Sequence, residues 1–148
     1  METSQPTPTL PAGRAAPPPQ KLRVLIIDDD PDFRSTIHSL LEHSGHVVTT
    51  APNGPKGLEY FRGKYDEIDV VLLDFYMPGL DGSQTFQWLR KIRQDIKVII
   101  ISGADALHLR QIHAQHAIDG YLRKPLLIQE LLHVMRKVTA KPVTSSSS

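Results

Sequence analysis

The chain has 148 residues, which suits one domain with tails, and an ordinary hydrophobic share of 40%. Its formal charge of +1 argues against a nucleic-acid footprint over the whole surface, and the lack of Cys excludes disulfides, thiolate metal sites and thiol catalysis. No apolar run approaches the roughly 20 residues that cross a bilayer and the start lacks an export pattern, so the expectation is a soluble, cytoplasmic protein without membrane association or direct nucleic-acid binding.

Residues 1–20 are rich in Pro, Thr, Ala and Ser and hold almost no large apolar side chains. Such a segment gains too little from burial to offset the entropy of ordering, so it is expected to be a disordered, Pro-rich tail. Pro8 and Pro11 have the spacing of a Pro-rich ligand, but a solubilising tail is the simpler reading of this composition. Residues 140–148 read as a second disordered tail, leaving 21–139 as the folded domain.

Within that domain strands and helices alternate. Residues 22–27 form an apolar strand interrupted only by Arg23, as expected when both faces of a sheet are covered. Asp30-Pro31 reads as an N-cap followed by Pro at the first helical position. Phe33, Ile37, Leu40 and Leu41 follow at helical spacing, and Gly45 stops the helix. Residues 46–50 make a short strand. Residues 53–62 make a weaker helix, with Leu58 and Phe61 facing inward and Pro55 and Gly57 against it. A third strand covers 70–73. Asp81-Gly82 reads as turn chemistry, and Ser83 can cap a helix whose stripe is Phe86, Leu89 and Ile92. Residues 98–101 are a β-branched strand, 105–116 a helix with a poor stripe, and 121–123 a short fifth strand. Ile128, Leu131, Met135 and Val138 mark the last helix. This alternation argues for an α/β fold, a doubly wound parallel sheet with helices on both faces.

Parallel sheets bind ligands beyond the carboxyl ends of their strands. Four ends carry chemistry here: Asp28 and Asp29 after the first strand, Asp74 after the third, Ser102 after the fourth and Lys124 after the fifth. Clustered carboxylates favour a hard divalent cation, and oxygen ligands suit Mg2+. Three acids, a hydroxyl and an ammonium suit phosphoryl transfer, in which Asp is a recognised nucleophile.

The segments Val24-Leu25-Ile26-Ile27-Asp28-Asp29-Asp30-Pro31, Val70 to Gly82, which contains Asp74, Ile100-Ile101-Ser102 and Gly120-Tyr121-Leu122-Arg123-Lys124-Pro125 resemble, in order and separation, the receiver domain of bacterial two-component response regulators. The resemblance implies a flavodoxin-like, five-stranded sheet in the order 2-1-3-4-5. It implies Asp74 as phosphoacceptor, paired with Lys124 at rest, and Mg2+ held by Asp29, Asp74, the Tyr76 backbone carbonyl and, through water, Asp28. Ser102 and the Gly103 amide would meet the phosphoryl oxygens, Tyr121 would be the aromatic switch, and Lys124-Pro125 would be cis. The implied partners are a sensor histidine kinase or histidine phosphotransfer protein and a downstream protein target. Too little chain follows Val138 for a helix-turn-helix, so a stand-alone regulator is expected. Tyr76 and Ala104, at the positions that tune hydrolysis in the family, offer little help to an attacking water.

Other readings are blander. His113 and His116 share a helical face but lack a third ligand, so a solvated face is expected. Arg90, Lys91, Arg93 and Lys97 read as a solvated helix end, with Trp88 half-buried beside it. The stretch His116-Ala117-Ile118 departs from the glycine that the family carries there. A haloacid-dehalogenase-like phosphatase with Asp28 as nucleophile is the alternative from a different class, although Asp32 departs from its motif.

Overall fold

The computed structural model describes residues 20–77, 82–103 and 106–140. The expectations for the two tails, for Ala104 and for the turn at Asp81 fall outside these residues.

Five strands and five helices alternate: β1 (Arg23–Ile27), α1 (Pro31–His43), β2 (Val47–Ala51), α2 (Gly54–Lys64), a 3-10 turn (Tyr65–Glu67), β3 (Val70–Asp74), α3 (Gly82–Ile92), β4 (Lys97–Ser102), α4 (Ala106–Gln115), β5 (Gly120–Arg123) and α5 (Ile128–Thr139). All strand pairs are parallel, and the sheet order is β2-β1-β3-β4-β5, as the resemblance implied. Side chains alternate along a strand, so each central strand feeds two cores. Leu25, Ile27, Val71, Leu73, Val98 and Ile100 pack with Leu58, Phe61, Phe86, Leu89 and Ile112 of α2, α3 and α4. Val24, Ile26, Val70, Leu72, Ile99 and Ile101 pack with Ile37, Leu41, Leu131 and Met135 of α1 and α5.

Local chemistry sets the boundaries. Asp30 accepts hydrogen bonds from the N–H groups of Asp32 and Phe33 (3.0 and 3.3 Å) and caps α1. Gly45, at φ 96°, turns the chain out of that helix. Asn53 caps α2 by accepting from the Lys56 N–H at 2.9 Å, so Pro55 falls in the first turn, where proline is tolerated. Gly57 is there for packing, since a Cβ would collide with the Ile27 side chain. α3 starts at Gly82, so Ser83 lies inside the helix and not at its cap. A Cβ at Gly82 would meet the Phe75 backbone, so only glycine lets α3 sit this close to the end of β3.

Of the basic residues at the end of α3, Lys91 and Lys97 are exposed, as the solvated reading expected, but Arg90 and Arg93 are structural. Arg90 donates to the Ile96 carbonyl (3.0 Å) and to Asp119 (2.7 Å), and Arg93 donates to the carbonyls of Tyr65 and Ile68 (2.9 and 2.7 Å). Trp88 lies against Lys91 and Arg62, 5.1 and 5.8 Å from its ring centroid. No helix among the described residues is long and apolar enough to cross a membrane.

Candidate functional site: an acidic pocket at the strand ends

The strand ladder continues one step past each C-terminal end, and this fixes the loop backbones. The Asp28 N–H donates to the Ala51 carbonyl (3.1 Å), Phe75 to Ile101 (3.2 Å) and Lys124 to Ser102 (2.8 Å). Asp28, Asp74, Ser102 and Lys124 are therefore held along one rim. Asp74 and Ser102 are the final residues of β3 and β4. Ser102 is fully buried.

Carboxylate oxygens of Asp28, Asp29 and Asp74 all lie within 4.8 Å of one another. Asp28 is 1% exposed and Asp74 6%, whereas Asp29 faces solvent. Asp28 Oδ1 accepts from the Asp30 N–H at 2.8 Å, and Arg34 Nη1 donates to the Asp28 carbonyl at 2.7 Å. Asp74 Oδ1 accepts from the Tyr76 N–H at 3.1 Å. The Lys124 ammonium lies 3.6 Å from Asp74 Oδ2, the pairing that the resemblance implied, and closer still, at 2.8 Å, to Asp28 Oδ2. The Lys124–Pro125 bond is cis.

Electrostatics follow from this crowding. Burial, then the Asp28 charge, raises the Asp74 pKa to about 6 against the pull of the Tyr76 N–H and Lys124. Burial alone would lower the Lys124 pKa, but the bonds and charges of Asp28 and Asp74 outweigh it and the net direction is up. Three carboxylates face one ammonium, and buried Asp28 Oδ2 accepts no well-aligned hydrogen bond despite the nearby Nζ. An all-oxygen, net-negative cluster with one lysine for three carboxylates is what a hard cation such as Mg2+ satisfies. Among the described residues this is the one group of three such side chains.

Tyr121 is 44% exposed on β5, with its ring edge-on to His113 at 5.9 Å. The solvated-face expectation fits exposed His113 but not His116. The His116 ring packs against Phe75 and Phe86 (5.5 and 5.3 Å between centroids), and its Nε2 lies 3.1 Å from Ser83 Oγ. His116 thus ties the end of α4 to the loop after Asp74. Sequence reasoning also passed over Arg34 and Phe33. Phe33 read as plain apolar stripe, yet its ring faces the Lys124 ammonium at 4.3 Å. The available signal was an aromatic residue in the first turn after the acidic run.

Residues 24–136 match the family model of the response regulator receiver domain, and the chain belongs to that family. Response regulator MprA of Mycobacterium ulcerans is 32% identical over 115 residues, 78% of this chain and 49% of that protein. The chain spans about half the length of the curated relatives it matches. A response regulator receiver domain protein from Clostridium thermocellum superposes with a TM-score of 0.74 at 32% identity, over 80% of this chain and 94% of that one. Response regulator TrrA from Thermotoga maritima, solved with Mg2+ and BeF, gives a TM-score of 0.71 at 31% identity, over 80% and 99% of the two chains. The family match disfavours the phosphatase alternative. Asp28, its nucleophile, is also buried and taken up by Lys124 and the Asp30 N–H.

Proposed function

We propose that Asp74 accepts a phosphoryl group from a phosphohistidine on a sensor kinase or histidine phosphotransfer protein. An Asp74 carboxylate oxygen forms the new bond to phosphorus as the donor's P–N bond breaks. The electron pair stays on the imidazole nitrogen, which takes up a proton. Both reactants are anionic, so the work of the site is charge cancellation and alignment. Lys124 supplies one positive charge beside the acceptor. Asp28, Asp29, Asp74 and the Tyr76 carbonyl would hold Mg2+, which supplies further charge neutralisation when bound. The Ser102 hydroxyl and Gly103 amide would donate to the transferred group, and Tyr121 would leave its exposed position as Ser102 moves. The acyl phosphate then biases a two-state surface towards a protein target. Its decay is slow, since the Tyr76 ring and the Ala104 methyl activate no water. The protein is a signalling module and its chemistry is confined to its own modification. We take residues 21–139 as that module, operating in the cytoplasm.

The convergence of three carboxylates within 4.8 Å, with the Lys124 ammonium among them, carries this reading. It is tested by incubating the chain with Mg2+ and acetyl phosphate, which transfers its phosphoryl group and releases acetate. Intact mass should rise by one phosphoryl group in the wild type and remain unchanged in Asp74→Asn. Persistent incorporation in the variant refutes Asp74 as the acceptor.

A further inference from the structure

The Lys124 ammonium is held from three sides. Two are carboxylates: Asp28 Oδ2 at 2.8 Å and Asp74 Oδ2 at 3.6 Å. The third is the ring of Phe33, whose centroid lies 4.3 Å from Nζ. That is well inside the range in which an aromatic face attracts a cation. The ring is firmly seated. The Phe33 N–H donates to the capping Asp30, and the side chain packs against the cluster beneath α1 and α5.

A lysine head is a point charge on a flexible four-carbon stem, so something must fix where it stands. The carboxylates alone do this poorly. The closer one, Asp28, would draw the ammonium away from Asp74, where the reacting phosphorus must arrive. A third carboxylate would anchor the head, but would add negative charge facing an anionic donor. Water would let the head swing. An aromatic face attracts the cation without a formal charge and without a lone pair that competes for its protons.

We propose that Phe33 is a positioning residue for phosphoryl transfer, its ring holding the Lys124 ammonium beside Asp74 where it meets the incoming phosphoryl oxygens. The proposal rests on Asp74 being the acceptor. With an aliphatic residue at 33 the ammonium, already 2.8 Å from Asp28, is free to pivot on that carboxylate away from Asp74, and the transferred group loses a donor that should already be in place. Small misplacements of a charged group are costly in such transfers.

The test compares wild type with Phe33→Leu, Phe33→Trp and a series carrying progressively fluorinated phenylalanine at position 33. Fluorination drains charge from the ring face while nearly preserving shape. Initial rates of phosphoryl incorporation from acetyl phosphate are read at saturating Mg2+, alongside thermal midpoints and the Lys124 ε-methylene proton shifts. The expected rate loss is about tenfold for Phe33→Leu, the equivalent of one cation–π contact of about 1.4 kcal/mol. The rate should fall stepwise along the fluorinated series while the midpoint holds, and Phe33→Trp should retain it. The ε-methylene protons should be shielded by the ring in wild type and lose that shielding in Phe33→Leu. A wild type that takes up phosphoryl groups, with a rate indifferent to fluorination, overturns the role of Phe33 alone. A wild type that takes up none overturns the acceptor reading, and this role with it.

Discussion

Replacing Asp74 by Asn should stabilise the metal-free protein. Asp74 is 6% exposed, and burial with the Asp28 charge lifts its pKa from 3.8 to about 6. Each pKa unit corresponds to about 1.4 kcal/mol, so ionised Asp74 costs the folded state up to about 3 kcal/mol at neutral pH. The sign follows from proton counting. Between pH about 4 and about 6 the folded chain holds more protons on this group than the unfolded chain, so stability falls as pH rises through that window. Above it the cost is constant. Asparagine keeps the shape and can still accept from the Tyr76 N–H, but its amide hydrogens need new partners. A net gain of about 1–3 kcal/mol is therefore expected, a rise in Tm of roughly 3–5 °C per kcal/mol for a domain of this size. Urea unfolding of both proteins at pH 4 and pH 7.5, with EDTA and then with Mg2+, is the assay. The gap should be wide at pH 7.5 in EDTA, narrow at pH 4, and reduced by Mg2+, which neutralises the wild-type cluster. A variant less stable than wild type at pH 7.5 in EDTA, or a gap independent of pH, would refute the reasoning.

Removing Lys124 acts in the opposite direction. Lys124→Met leaves Asp28 and Asp74 uncompensated, with an expected loss of about 3–5 kcal/mol in EDTA, partly restored by Mg2+ in the same unfolding assay. His46 accepts the Leu22 N–H at Nδ1 (3.0 Å), and burial, then Arg136, lowers its pKa. Its folded form stays neutral where the unfolded form protonates, so its contribution is present above the unfolded pKa of about 6.5 and is lost as pH falls below it. His46→Asn in the Asp74→Asn background should flatten that acid-side decline, as followed by Tm between pH 7.5 and 5.5. Gly82→Ala forces a Cβ into the Phe75 backbone and should cost about 1–3 kcal/mol. Because the strain falls on the Phe75 backbone, between Asp74 and Tyr76, Mg2+ titration should also show weaker binding. Arg90→Leu breaks the 2.7 Å pair with Asp119 at the far end of the sheet. It should cost about 1–3 kcal/mol in unfolding while Mg2+ affinity stays unchanged.

Periodicity and punctuation made the fold legible. Unbroken apolar strands declared a sheet covered on both faces, and Asp30-Pro31 and Gly45 bounded α1 in the sequence as they do in space. The site was legible because its residues are chemically conspicuous and sit where apolar runs end. Less visible were effects that need distance. Gly57 and Gly82 looked like weak points or turn chemistry, since nothing local announces that Ile27 or the Phe75 backbone lies where a Cβ would stand. Arg90 and Arg93 looked solvated because their carbonyl and Asp119 partners are remote in sequence. Phe33 and His116 followed the same rule, since a hydrophobic stripe and a helical histidine carry no mark of the ammonium or the phenyl rings they meet.

The two rims of the sheet are built on opposite principles. At the amino ends of the strands charges and backbone groups are matched. Asp69 takes the Arg23 N–H at 2.7 Å, Asp119 takes Arg90 and the Val98 N–H at 2.7 and 2.8 Å, and His46 takes the Leu22 N–H at 3.0 Å. At the carboxyl ends three acids crowd one lysine, and a buried oxygen lacks an aligned donor. A buried carboxylate held near its neighbours' charge is unstable as it stands and improves whenever a cation binds. Matching the remote rim lets the fold carry this defect, because domain stability is only about 5–15 kcal/mol and a strained site must be offset elsewhere. The instability and the proposed function then share one cause. The repulsion that lifts the Asp74 pKa is what a divalent cation relieves, and relief at that carboxylate brings a cation beside the oxygen proposed to attack phosphorus.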